Sequence, residues 1–515
     1  MKKEQTIRPD TISVLDFGAV GDGVADDAPA IQQALDTDAR HVLVPPGIYT
    51  LRRPLRPRSN QCLEINGILR IADCVIQTLR QDVRPGDTEV IVTKGSAYAV
   101  GQEVTLHDEQ LPIHLIDWVQ HSEGERPRHG ATFQTRRVHA GHARIVAIRG
   151  NTLHLDAASG RSYRCEDKAC LATQHSAILI EHSQVRIGGT GTIDGNKHNQ
   201  LDAQPGPLEQ TGGEENTAGC CIKVAAAQPL EGIVIENITL QNAILHNLSV
   251  GVHNNSHFPD CVVSNSIIRG VHSLYAHDKN IAIGRCRNCQ ILDNVAAFAE
   301  FEDGIVLHQV PDDRLQAAGE ILIRGNRCIG NARNGLHVGA NMHNIHLNGN
   351  VCGANGFNLV LNGDDCTSTD DTVTGSNGRL FPLDRQRPGV LVAGRRITIR
   401  NLQVFNSRSV ALGISGESVT VTGSLIANQS TGNDRTAGTT GISVSPGSAC
   451  DESLYPATGL LPVLLPRQAD CCADGILVEQ THVQGFDTAI TIDKTARNVV
   501  CEDCSKEKTG TVRRT

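Results

Sequence analysis

From about residue 176 onward, the chain alternates apolar with polar residues over short stretches and then turns at Asn or Gly. Examples are Ile321-Leu322-Ile323-Arg324-Gly325-Asn326, Ile345-His346-Leu347-Asn348-Gly349-Asn350, Ile397-Thr398-Ile399-Arg400-Asn401 and Val419-Thr420-Val421-Thr422-Gly423. A period of two predicts a short strand with one buried face. Asn326 and Asn350 are 24 residues apart, as are Cys328 and Cys352. A repeat in the low twenties, made of strands alone, matches one coil of a β-helix. Stacked coils would lie ~4.8 Å apart, so equivalent residues form ladders. Cys328 over Cys352 and Asn326 over Asn350 are the predicted ones.

The N-terminal phrase Leu15-Asp16-Phe17-Gly18-Ala19-Val20-Gly21-Asp22-Gly23-Val24-Ala25-Asp26-Asp27 predicts a short strand and a glycine-rich turn. A helix follows, with Asp26 or Asp27 as its cap, Pro29 in its first turn and Ile31, Ala34 and Leu35 on one face. Residues 81–160 break the coil pattern. Their strand-like stretches 85–92, 100–106 and 143–155 predict an inserted β-module. Its middle carries His107, His114, His121, His129, His139, His142 and Trp118 in irregular spacing, which predicts a polar loop. The expected organisation is therefore 1–80 cap and first coils, 81–160 inserted module, 161–505 parallel β-helix and 506–515 polar tail.

The chain has 515 residues, and aromatics make up only 3%, which fits a narrow core of stacked Val, Ile and Leu. A net charge of −9 argues against nucleic acid or an anionic membrane as partner. No apolar run is long enough to cross a bilayer, and no secretory segment is seen. The default expectation is a cytoplasmic protein, with an extracellular one as the alternative. The 17 cysteines include Cys220-Cys221, Cys286-x-x-Cys289, Cys471-Cys472 and Cys501-x-x-Cys504. These pairs fall on distant coils, so buried thiols are expected rather than zinc. A disulfide or metal at Cys471, Cys472, Cys501 and Cys504 is the alternative. No cofactor is called for, and Ca²⁺ is left open.

Five phrases align after a turn: Asn247–Gly251, Ser273–His277, Gly304–His308, Gly335–Gly339 and Gly356–Val360. That alignment puts Leu248, Leu274, Ile305, Leu336 and Phe357 inside. It places Tyr275, His277, His308 and His337 on one outer face, with Glu302 and Asp303 on the turn leading to His308. A phenol, imidazoles and carboxylates along a groove suit proton transfer on a polymer. Tyr275, His277, Glu302, Asp303, His308 and His337 are the candidate catalytic residues. His253, Asn358, Asp364 and Asp365 are the candidate substrate-binding residues. A second polar break at about 364–388 carries the last two.

The N-terminal phrase, followed by Ala30-Ile31-Gln32-Gln33-Ala34-Leu35 and His41–Tyr49, closely resembles the opening of the pectate-lyase-like superfamily. That resemblance implies an all-β chain: a right-handed single-stranded parallel β-helix with an N-terminal capping helix. Glu302-Asp303-Gly304 and Arg333-Asn334-Gly335-Leu336-His337-Val338-Gly339 resemble the acidic pair and histidine-glycine strand of polygalacturonases, with Asn334 replacing the expected histidine. Thr192–Asn199 resembles a stretch of mannuronan epimerases, whose catalytic phrase falls near His246–His253 with only His253 matching. The resemblances imply a carbohydrate-active enzyme on a polysaccharide or oligosaccharide, most simply a uronate-containing one. Lyase, hydrolase and epimerase chemistry all stay open, with a glycan-binding tailspike-like or adhesin body as the non-enzymatic alternative.

Overall fold

The computed structural model describes residues 11–108, 138–160, 162–200, 219–251, 261–300, 302–308, 318–340, 342–376, 388–407, 410–428, 440–446, 473–507 and 512–514. The chain winds through three long parallel sheets, the first coils contributing to two of them and the third sheet joining from Ile178 on. The first sheet runs from Thr11–Ser13 to Arg497–Glu502, and the second from Asp22–Asp26 to Ser505–Glu507. The third runs from Ile178–Ile180 to Val512–Arg514. The last strands of the second and third sheets thus carry the stack into the stretch expected to be a polar tail.

Register makes the core. In the third sheet Leu248, Ile281, Ile305, Leu336, Leu359 and Val390 form one inward column, each paired with the next. Val250, Ile283, Leu307, Val338, Leu361 and Val392 form the second. Each is at most 2% exposed, so the alternation seen in sequence is a burial pattern. In the second sheet Cys328 pairs directly with Cys352, both buried in the core.

Two internal amide ladders hold the corners. Between first and second sheets, Asn294 donates to Asn326 at 2.9 Å, Asn326 to Asn350 at 2.9 Å and Asn350 to Asp371 at 2.9 Å. Between second and third sheets, Asn247 donates to Asn280 at 3.1 Å, Asn280 to Asn331 at 2.9 Å and Asn331 to Asn355 at 2.9 Å. Asn355 continues this second ladder to Asn358 at 2.8 Å. A buried amide left unmade would cost about 1–3 kcal/mol, so each coil constrains the next.

The helix Ala28–Leu35 closes the N-terminal end and buries Ala28, Ile31, Ala34 and Leu35. The expected strand at Leu15-Asp16-Phe17 is instead a 3-10 turn, Val14–Phe17. Ser13 and Asp16 cap it reciprocally, and this local bonding outcompetes a ladder partner. Asp26 accepts from the Ala28 amide at 3.3 Å, while Asp27 reaches back to the Val20 amide at 2.6 Å. Gly21 is required where it stands: its φ is +70°, and a Cβ there would lie 2.9 Å from the Tyr49 ring.

A separate antiparallel sheet of six strands departs from the stack after Ile68–Ile71 and returns before Ile178–Ile180. Its first and last strands, Ile76–Thr78 and Cys170–Thr173, pair with each other. Ile145, Leu153, Tyr163 and Val92 form its own core. His114, His121, His129 and Trp118 lie outside the described residues. Among the described residues, no helix is long and apolar enough to cross a membrane.

Candidate active site

The turns leading into the third sheet share a sequence form: charged or polar residues, then Asn or Gly, then an apolar strand. They are His246-Asn247-Leu248, Asp278-Lys279-Asn280-Ile281, Glu302-Asp303-Gly304-Ile305 and Arg333-Asn334-Gly335-Leu336. Backbone bonds stack them in register, Glu302 N–H to Asp278 C=O at 3.3 Å and Arg333 N–H to Glu302 C=O at 3.0 Å. Gly304 fits because a Cβ would lie 2.6 Å from both the Asn331 amide and the Gly335 carbonyl. The second amide ladder therefore runs directly under these turns and sets their height.

Stacking brings their side chains into one chain of ion pairs. His246 Nε2 meets Asp278 at 2.9 Å, and Lys279 meets Asp278 at 3.0 Å and Glu302 at 2.5 Å. Arg333 reaches Glu302 at 3.3 Å and clasps Asp303 with two bonds, 2.8 Å from Nε and 2.6 Å from Nη2. Asp303 also accepts from the Asn334 amide at 3.0 Å, and its Oδ2 lies 3.5 Å from His337 Nδ1. Every member is buried: Asp303 is 0% exposed, Arg333 2%, His337 3% and Glu302 7%. His337 Nε2 has no hydrogen-bond partner among the described residues.

The neighbouring carboxyls titrate apart. Burial pushes Glu302 up, and the charges of Asp278 and Asp303 add to this against Arg333 and Lys279. Burial also raises Asp303, yet the Arg333 clasp and His337 hold it below the usual carboxylate range. Asp278 is likewise held low, against burial, by Lys279 and His246. Burial lowers His246 to about 4 and, with the positive fields of His337, Lys279 and Arg333, His308 to about 3. Lys223, on the same face one strand below Ser249, is lowered by burial. The opposite displacement of the two adjacent acids follows from their partners, since Arg333 clasps Asp303 with two bonds and reaches Glu302 with one.

A second, more open group lies at the edge. Lys197 donates to Glu300 at 2.7 Å and to the Tyr275 carbonyl at 2.5 Å, and His277 Nδ1 lies 3.0 Å from Glu300. Burial works against Glu300, but the bonds from His277 and Lys197 bring it down to about 2.

These placements correct several expectations. Glu302, Asp303 and His337 do come together, and His308 ends the strand Ile305–Leu307 beside them, but as a buried cluster rather than a solvated groove. Tyr275 and His277 are not in the third sheet. That coil's strand is Ile281–Ile283, seven residues further on, because Tyr275 to Asn280 form the corner. His277 and Tyr275 instead belong with Lys197 and Glu300. Phe357 pairs with Asn334, and the inward residues are Leu359 and Leu361. Asn358 is 0% exposed and ends the amide ladder, donating to the Gly375 carbonyl at 2.9 Å, so it faces no ligand. Asp364 is 2% exposed and held by Arg395 at 2.8 Å, and Asp365 is paired with Arg396 at 2.6 Å. Both are tied to arginines of the next coil, away from the cluster. His253 lies outside the described residues. His246, Asp278, Lys279, Arg333, Lys197 and Glu300 were missed, although the shared form of the turns could have revealed the first four. Among the described residues, no group of three or more His, Cys, Asp or Glu is arranged to hold a metal.

A family profile described as rhamnogalacturonase A/epimerase, pectate lyase-like, matches residues 11–66. No curated protein matches the chain in sequence. The pre-mature gene product 12 of bacteriophage phi29 is similar in structure, with 13% identity and a TM-score of 0.59 over 96% of this chain and 52% of its own. The A-module of Azotobacter vinelandii mannuronan C-5 epimerase AlgE6 has 15% identity and a TM-score of 0.49, covering 98% of this chain and all (100%) of its own. The Pseudomonas phage phi297 tailspike gp61 has 13% identity and a TM-score of 0.38, covering 97% of this chain and 75% of its own. The stacked parallel sheets define a right-handed parallel β-helix. Its N-terminal residues 11–66 are similar to that pectate lyase-like profile.

Proposed function

We propose that this β-helix is a polysaccharide hydrolase whose chemistry centres on Glu302, Asp303 and His337. One observation carries the proposal: a carboxyl raised by burial stands beside a carboxylate held low next to an imidazole whose far nitrogen is unpartnered. In this reading Glu302 gives its proton to the glycosidic oxygen as the C1–O bond breaks. Water adds at C1, and His337 Nε2 takes the proton that the water loses. Asp303, 3.5 Å from His337 Nδ1, stabilises the imidazolium that forms. Lys279 and Arg333 are engaged by the carboxylates of Asp278 and Asp303. That supports hydrolysis over elimination from a uronate, which needs a cation on the substrate carboxylate.

The test is a screen of neutral and acidic polysaccharides, reading both new reducing ends and the ultraviolet absorbance of unsaturated uronides. Reducing ends without absorbance, abolished by Glu302→Gln, are expected. Absorbance would replace hydrolysis with elimination. Binding with neither product would replace the enzyme with a glycan-binding body.

A further inference from the structure

Two aromatic side chains stand where neighbouring coils place Asn, Gly or Ala. At the corner leaving the second sheet, equivalent residues take a left-handed backbone: Asn242 at φ 56°, Tyr275 at 56°, Phe298 at 61° and Gly330 at 67°. Asn and Gly adopt that conformation readily, whereas bulky residues are strained in it. The two rings stack at 5.3 Å between centroids and 13° between planes. Gly330 leaves the room that Phe298 needs, since a Cβ there would lie 2.8 Å from its ring. Tyr275 keeps 46% of its surface exposed. Its backbone carbonyl is held by buried Lys197, which also binds Glu300, and the Glu300 carboxylate is 42% exposed.

We infer that Tyr275, backed by Phe298 and flanked by Glu300, is a sugar-stacking subsite for a neutral pyranose of the polysaccharide. An aromatic face carries partial negative charge and attracts the weakly positive C–H face of a pyranose. The ionised Glu300 carboxylate accepts from sugar hydroxyls. Lys197 is spent on Glu300 and is not offered to a sugar carboxylate, which selects a neutral ring. The subsite adjoins the cluster in sequence, His277 next to Asp278 and Glu300 two residues before Glu302. The inference rests on the polysaccharide reading of that cluster and adds the sugar class.

The experiment uses the full chain and saturation-transfer NMR with dextran, mannan, galactan and polygalacturonate. Wild type and Glu302→Gln should both bind a neutral polymer, and Tyr275→Asn should weaken that binding at least tenfold. Tyr275→Asn should also unfold no earlier than wild type, because Asn suits the left-handed backbone. A purely structural Tyr275 would show the opposite: lower thermal stability with binding unchanged. Preference for polygalacturonate, or no saturation transfer from any of the four, overturns the inference. Tyr275-dependent binding without hydrolysis by wild type sinks the hydrolase and leaves the subsite standing.

Discussion

The outer faces of the first and third sheets obey the same period-two rule and meet opposite fates. On the first, Glu236 is clamped between Arg186 and Arg269, whose side chains are 56% and 50% exposed. Glu236 itself is only 2% exposed beneath them, so water reaches the two guanidiniums but not the carboxylate they share. On the third, the outward column Ser249, Ala282, Val306, His337 and Val360 is at most 4% exposed. The turns feeding it bury the three carboxyls of Asp278, Glu302 and Asp303 against the two cations Lys279 and Arg333. Removal from water amplifies every interaction there and drives neighbouring carboxyls apart. A shared backbone repeat thus carries guanidiniums open to water on one side and a wholly buried ionic cluster on the other.

The comparison breaks first on activity. Glu302→Gln should lower turnover by ~10²–10⁴-fold, the scale of a lost acid–base group, measured as reducing ends on the true substrate. Arg269→Ala on the first sheet should leave turnover unchanged, and equal losses in both would erase the distinction. Arg333→Leu should destabilise by about 3–5 kcal/mol in urea unfolding, because it strands the Asp303 carboxylate in the interior. Acid should weaken the fold through His246. Its folded pKa, about 4, lies below the unfolded value, so the unfolded chain binds the proton first. Stability should therefore fall as the pH drops from about 6.5 toward 4, by roughly 3 kcal/mol for this group. His246→Gln should flatten that slope. Last, Arg269→Ala should cost less than Arg333→Leu, because Arg186 still pairs with the Glu236 carboxylate.

Much of the stack could be read from the chain, because coils of equal length leave a visible period. Cys328 and Cys352, or Asn326 and Asn350, are neighbours after 24 residues of uniform coil. The third sheet misled where coil length changes. Its strands are often three residues long, and Ser273-Leu274-Tyr275-Ala276-His277 has the same alternation as Asn280-Ile281-Ala282-Ile283. Three residues cannot arbitrate between two such candidates, so Tyr275 and His277 were assigned to the wrong sheet. The acidic pair Glu302 and Asp303 was legible from its place on a turn. The burial that sets their protonation was not, since alternation tells inside from outside only relative to the sheet. Arg333 looks like any turn arginine until stacking lays it across Glu302 and Asp303.

The antiparallel module leaves the helix after Ile71 and returns before Ile178, and its first and last strands bond to each other. Such an insertion is a closed appendage on a stalk. The paired ends bring the chain back to where it left the stack, and the module ties its Glu103 to Arg56 of the stack at 2.5 Å. It occupies the corner between second and third sheets, the same corner that later bears Asp278, Glu302 and Arg333. This seam of the molecule accepts foreign chain without unravelling. New partners for the reactive strip can thus be acquired by grafting at that seam, while the stack itself stays untouched.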